Sequence, residues 1–284
     1  MKFFASPAAA AFRRNGGAMA GLVFLCLMVL TVLLTPLFYT VDANLTDAAA
    51  GFRAAPSAKH LLGTDDVGRD VLARLLQGGR VSLLVGFGSM ILAAVLGVPL
   101  GLLAGYLRGA WEYWIMRLVE VVQSFPSMIL ILCLVSLVGP SVWNVIAVLG
   151  FLGWAPVCRL IYGNTLSVSE RDYILAVRAL GASHRTILFS DILPNAIAPL
   201  WAQLPLRVGR AMLTESSLSF LGVGLRTPST SWGNMLQRAT EIATLTQRPW
   251  MWVPPMVCIV LTTLSLQLVG DGIQKALSPK GAGR

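Results

Sequence analysis

Six stretches of this chain are each long and apolar enough to cross a bilayer, and that fixes the solvent the fold must live in. A helix covers about 30 Å of hydrocarbon with about 20 apolar residues. The stretches run from about 17 to 39, 81 to 106, 116 to 138, 141 to 162, 197 to 222 and 251 to 269. Composition agrees. The chain is 56% hydrophobic and 12% charged, where a soluble domain carries about 25% charged residues. Disorder is excluded by the apolar content, and the chain has too little polar surface for an ordinary soluble enzyme. A spanning segment must bond its backbone within itself, which helices do and open sheets do not. The expected fold is an all-α membrane protein of six transmembrane helices.

The formal charge is +9, from 22 Lys+Arg against 13 Asp+Glu. These charges are scattered between apolar runs with no basic block, so nucleic acid is not the expected partner. Retention of Lys and Arg on the cytoplasmic side of a lipid bilayer accounts for them better. With the N-terminus inside, cytoplasmic segments hold Lys2, Arg13, Arg14, Arg108, Arg117, Arg171, Arg178, Arg185, Lys275, Lys280 and Arg284. The other side holds Arg53, Lys59, Arg69, Arg74, Arg80, Arg226, Arg238 and Arg248, mostly in two long loops. The expected layout is a cytoplasmic segment 1–16, a first span 17–39 and an extracytoplasmic loop 40–80. A five-helix body 81–272 and a cytoplasmic tail 273–284 follow. The first span has a basic start, but its apolar stretch exceeds the usual signal-peptide core, so an uncleaved anchor is expected. Cys26, Cys133, Cys158 and Cys258 each sit alone in an apolar run, which suits packing or lipid-facing cysteines rather than a disulfide or zinc framework.

The loop between the fourth and fifth spans, about 164–192, carries most information. Ser169 with Asp172 three residues on reads as a capping-box helix start. The helix runs to Leu180, Gly181 stops it, a second short helix opens at Ser183 and ends near Phe189, and Pro194 suits the first turn of the next span. Tyr173, Ala176, Val177, Leu180, Ile187 and Leu188 form its apolar side. That side must lie on lipid headgroups or dock into another protein.

Arg178-Ala-Leu-Gly-Ala-Ser183, with Leu193-Pro194-Asn195 after it, resembles the coupling loop of binding-protein-dependent ABC importer permeases. Ala176, Gly181, Leu193 and Pro194 fall in register with that loop's pattern, while Leu175 stands where the family has Glu and Val177 where it has Ala. The run from His60 to Arg74 is similar to the dipeptide, oligopeptide and nickel branch. So are Ser124-Phe-Pro126, Leu218 to Gly224, Ser231 to Leu236 and Gly270-Asp-Gly272. The likeness is to the second of the two permeases in such systems.

The resemblance implies an ABC importer type I permease fold in a bacterial inner membrane, with both termini cytoplasmic. It implies a second homologous permease, two cytoplasmic ATP-binding subunits and an extracytoplasmic solute-binding protein as partners. Tyr173, Ala176, Val177, Arg178, Leu180, Gly181, Ala182, Ser183 and Pro194 are the expected ATPase-coupling residues. Asp66, Arg69, Asp70, Trp232 and Asn234 are the expected contacts for the binding protein. The solute implied is a di- or oligopeptide, with nickel or a metal chelate as the alternative.

No cofactor is expected in this chain, with ATP and magnesium bound by the partner subunits. A phosphate-cradling P-loop needs Gly-Lys followed by Ser or Thr, and none of the four lysines follows glycine. The two histidines, His60 and His184, have no metal-ligand spacing. His60 reads as a capping or solvated loop residue and His184 as exposed. The expectation is therefore a non-catalytic subunit. A self-sufficient secondary transporter would need intramembrane acids and internal repeats, and only Glu215 and no clear repeat are found. A non-transporting membrane scaffold is a third class.

Within the spans, Gly97, Gly101 and Gly105 recur every four residues and make a flat stripe for a close helix neighbour. Pro99, Pro126 and Pro156 interrupt spans as kinks or tolerated irregularities. Arg207 and Arg210 share a helix face, with Glu215 about two turns on; either these line a translocation path, or the two arginines pair with acidic groups of the partner permease or snorkel. In the loops, Asp66 to Gln77 reads as an amphipathic helix, and Trp232, Trp250 and Trp252, in or beside the second loop (about 223–250), suit an interfacial belt.

Overall fold

The computed structural model describes residues 7–226 and 228–277, so Lys2, Lys280 and Arg284 lie outside the described residues. Among those described, the elements are helices, and the only β pairing is two isolated bridges, Thr46–Arg69 and Thr64–Asp70. A short α1 (Pro7–Arg14) leads into α2 (Gly16–Phe38), whose first turn is capped by the Asn15 side chain at 3.3 Å from the Ala18 N–H. The α3 helix (Val71–Leu107) is 37 residues long, about 55 Å at 1.5 Å per residue. It therefore outruns the hydrocarbon. Asp70 starts it by accepting from the Ala73 N–H at 2.7 Å. The separate amphipathic helix expected over 66–77 is not formed: residues 66–70 are turn and bridge, and the rest is the first two turns of the spanning helix.

The third expected span is broken. Helices α4 (Gly109–Ser124) and α5 (Ser127–Val138) meet at 87°. Pro126 removes a donor, and Phe125 before it is extended (φ −88°, ψ 143°) as its proline neighbour demands. The α6 helix (Val142–Ser169), capped by Ser141, runs seven residues past its expected end. After α7 (Asp172–Ala179) and one turn, α8 (His184–Thr186), the chain widens into a π turn over Ile187–Ile192 and continues as α9 (Leu193–Phe220). A proline ring crowds the carbonyl four residues back. For Pro194 that is Ser190, inside the wider turn. Two small helices, α10 (Trp232–Leu236) and α11 (Ile242–Gln247), lead to α12 (Val253–Leu277).

By length and composition, α2, α3, α6 and α12 are apolar enough to cross a membrane, and α4 with α5 makes a fifth crossing as a bent pair. The sixth expected span falls in α9, which has the length but carries Arg207, Arg210 and Glu215. Both long loops gather at one end of the bundle, the loop end, and 164–192 forms an elbow at the other.

The most extensive helix contact joins α3 to α6. A Cβ on Gly97 would lie 2.7 Å from the Trp154 carbonyl oxygen, one on Gly101 2.6 Å from that of Cys158, and one on Gly105 2.7 Å from Thr165 Cβ. The expected stripe is thus a backbone-to-backbone seam. In lipid such close packing replaces the hydrophobic drive that water supplies. Gly101→Val should cost at least the about 1–3 kcal/mol of an overpacked core. Gly163→Ala, with open space at its Cβ, should be neutral. Thermal unfolding of the two purified variants in detergent separates them.

Candidate functional site

The elbow is built in register but not as the sequence pattern suggests at its start. Ser169 is the last residue of α6, buried, with its hydroxyl donating to the Thr165 carbonyl at 2.7 Å. It therefore cannot cap the next helix, and α7 opens after Arg171 without a side-chain cap. The stop is as expected. Gly181 has φ +81°, the Gly181 N–H reaches the Arg178 carbonyl at 3.0 Å, and the Ala182 N–H reaches Val177 at 3.3 Å. This double closure satisfies the last carbonyls of the helix. Ser183 then caps the Thr186 N–H at 3.2 Å.

The apolar side divides in two. Ile174 and Ile187 are fully buried against the bundle, with Val177, Ala182 and Leu188 packed beside them. Tyr173, Leu175, Ala176 and Phe189 face outward, and Leu180 at the corner is 87% exposed. Arg178 and Pro194 are also exposed. His184 is exposed as expected, and its Nδ1 lies 2.7 Å from the Tyr106 hydroxyl at the end of α3. The Arg178 guanidinium stands 5.9 Å over the Tyr106 ring. An exposed pair, Arg108–Glu170 at 2.7 Å, joins the same ends. The elbow is thus fastened from behind and bare in front.

On α9, Arg207 bonds the Gln203 side chain at 3.0 Å, while Arg210 is exposed and forms no ion pair among the described residues. Glu215 does not join them. It is fully buried and accepts from Ser219 at 2.8 Å and Ser231 at 2.7 Å. The expected trio is therefore two arginines on α9 and a separate carboxylate that ties the second loop to the helix.

The loop end is held by ions. Asp65 accepts from Arg69 Nε at 2.8 Å and forms an ion pair with Arg74 Nε at 3.3 Å, all three residues buried. Asp66 pairs with Arg238 at 3.0 Å. His60 is buried rather than solvated: its Nδ1 lies 2.7 Å from Asp70 and its Nε2 3.3 Å from Asp47. Lys59 and then His60 hold the Asp47 carboxyl at about 2. A lowered value means that this contribution is complete above the ordinary carboxylate range and disappears as pH falls toward 2.

Four of the five expected binding-protein contacts serve the subunit itself. Asp70 and Arg69 are used as described. Trp232 is 1% exposed and donates its Nε1–H to the Leu75 carbonyl at 2.9 Å, so it belongs to no interfacial belt. Asn234 closes a capping box with Ser231. Asp66 keeps 15% of its side chain exposed. Outward-facing residues at this end include apolar ones, Leu45, Phe52, Leu61, Val67 and Ile242, beside polar ones such as Asp42, Asn44, Lys59 and Glu241. Apart from Val67, which falls in the amphipathic stretch expected over 66–77, sequence reading missed the apolar ones because single apolar residues in a loop carry no periodicity. Cys158 is buried, Cys258 half-buried and Cys26 and Cys133 exposed, all free. Among the described residues no His/Cys/Asp/Glu group could hold a metal ion.

Residues 97–281, spanning the glycine seam, elbow and Glu215 tie, match the family described as binding-protein-dependent transport system inner membrane component. The chain belongs to that family. Residues 6–56 also match the N-terminal transmembrane domain of oligopeptide transport permease C. A Brucella suis protein provisionally named a peptide permease is 40% identical over 270 residues, covering 95% of this chain and 89% of its own. The di/tripeptide transport system permease protein of Pseudomonas aeruginosa is 35% identical over 278 residues, covering 95% and 90%. The oligopeptide transport system permease protein of Bacillus subtilis is 32% identical over 269 residues, covering 95% and 87%. The inward-facing MetNI methionine ABC transporter matches in fold, with a TM-score of 0.59 at 19% identity over 72% of this chain and 97% of that one.

The subunit is therefore a multi-pass membrane permease component of an ABC importer, of the dipeptide/oligopeptide permease C type. Its loop-end ion cluster gives a direct test. Asp65→Ala would leave Arg69 and Arg74 buried without their carboxylate, a loss of about 3–5 kcal/mol. Asp172→Ala, an exposed first-turn residue, should cost about 0.5 kcal/mol or less. The yield of monodisperse protein on size exclusion should collapse for the first variant alone.

Proposed function

We propose that this subunit forms half of the path by which an ATP-driven importer takes up di- or oligopeptides, working with a second permease, two cytoplasmic ATPases and an extracytoplasmic binding protein. The peptide assignment is supported by the names of the full-length relatives. In this reading α9 is the sixth crossing, both termini are cytoplasmic and the elbow faces the cytoplasm. ATP hydrolysis then belongs to the partners.

The observation that carries the reading is the elbow's two-faced build. Ile174 and Ile187 anchor it to the bundle, while Leu180 is held out at a corner that Gly181 alone among common residues adopts without strain. Leu180, with Tyr173, Leu175 and Phe189 also exposed on the elbow, gives an apolar front of the kind that suits a partner protein. Leu175, where the resembling family carries Glu, makes the front of this elbow more apolar than the family pattern. Closure of the ATPases would push on this corner, and the unbroken backbone from Ile187 through α9 would carry the displacement toward the loop end. The two access states differ in how well each fits the closed ATPases, and that difference alone can bias them.

Arg210 and Arg207 line the path or meet the companion permease in this assembly, and Leu45, Phe52, Leu61, Val67 and Ile242 offer the outward surface for the binding protein. The elbow tests the proposal. Leu180→Glu should cut ATPase co-purification at least tenfold, and Gly181→Val should abolish uptake, with membrane insertion and monodispersity unchanged in both. Uptake of labelled dipeptide into proteoliposomes at wild-type rate by either variant would defeat the assignment.

A further inference from the structure

We infer that the loop end holds a binding site for a zwitterion of amino-acid or short-peptide type, in the pocket between residues 65–74 and the segments 222–226 and 234–238. The inference rests on the peptide reading and adds a place where the permease itself meets the solute. The pocket encloses about 310 Å³, within the range of small-molecule sites and far above the ~10–15 Å³ that one water needs. Its lining holds three cations, Arg74, Arg226 and Arg238, against two anions, Asp65 and Asp66.

Two atoms of that lining are buried and without a hydrogen-bond partner: Arg74 Nη1, and Asp66 Oδ1, whose nearest cation is Arg69 Nη2 at 4.0 Å. Arg74 is 5% exposed, and its Nε is already held by Asp65. Asp66 binds Arg238 through its other oxygen. Each side chain is thus fixed on one side and left with a donor or acceptor on the other. Desolvated charges of this kind are strongly unfavourable unless something completes them.

Opposite signs decide what that something is. An anion would complete Arg74, yet it would sit beside two carboxylates and leave Asp66 Oδ1 bare. A cation would do the reverse. A zwitterion supplies both groups at once, its carboxylate accepting from Arg74 Nη1 and its ammonium donating to Asp66 Oδ1. The pocket also touches Gly222, where φ +80° and paired closures onto Leu218 and Ser219 end α9. Occupancy would therefore be felt at the end of the same helix that the elbow drives.

The test uses the assembled importer in nanodiscs without its binding protein, probed with millimolar alanyl-alanine by saturation-transfer NMR. The expected result is a signal at least fivefold stronger than for the N-acetyl or C-amide analogue. It should be lost in Asp66→Asn and in Gln237→Trp, which fills the pocket without removing a charge. Equal signals across the three ligands, an unchanged signal in both variants, or no signal at all (a pocket holding water alone) would overturn the site. Uptake of the same dipeptide by the wild-type importer with its binding protein is run in parallel. A failure there strikes the peptide reading, whereas normal uptake with no differential signal strikes only this site.

Discussion

Close approach between α3 and α6 is the constraint on which the rest of the bundle depends. Three glycines one turn apart let the two backbones touch at Trp154, Cys158 and Thr165, and no side chain larger than hydrogen fits. A membrane gives helices no hydrophobic reason to associate, so contact geometry must supply it. The seam makes α3 and α6 one rigid unit. Both the elbow, which follows α6, and the ion-bonded turn, which precedes α3, are mounted on it.

Against that unit α9 is held at its two ends. Ile187 and Ile192 of the π turn are buried among the core side chains at the elbow end. At the other, Glu215 gathers Ser219 and Ser231, while the Trp232 N–H reaches Ser82 on α3 at 3.2 Å. A buried carboxylate with serine partners is a costly device in a membrane protein. Here it fastens the second loop to the helix that leads from the elbow. Helix ends at Leu180–Gly181 and Leu221–Gly222 close in the same double-bonded way, each with a left-handed glycine.

Periodicity and punctuation made much of this legible in the sequence. The spans came from apolar runs, the seam from glycines four apart, the corner from Gly181 and the second cap from Ser183. What misled was local ambiguity. Ser169 fits a capping box by spacing, yet α6 continues through it and uses its hydroxyl. Asp66 and Asp70 both look like helix starters, and only the fold shows that Asp70 caps while Asp66 pairs with Arg238. Trp232 has the composition of a belt residue, but Gly78 and Gly79 on α3 leave room for the chain to bury it. The Glu215–Ser231 bond links a helix to a loop 16 residues on, the pocket joins Asp66 and Arg74 to residues near Arg238, and no local pattern announces either.

Reconstitution by omission tests the central claim most directly. The chain alone, the two permeases together, and the permeases with ATPases and binding protein are each placed in vesicles and assayed for dipeptide accumulation against a gradient. The account predicts accumulation in the complete set only, and only with ATP. Accumulation by this polypeptide alone, without nucleotide, would contradict it.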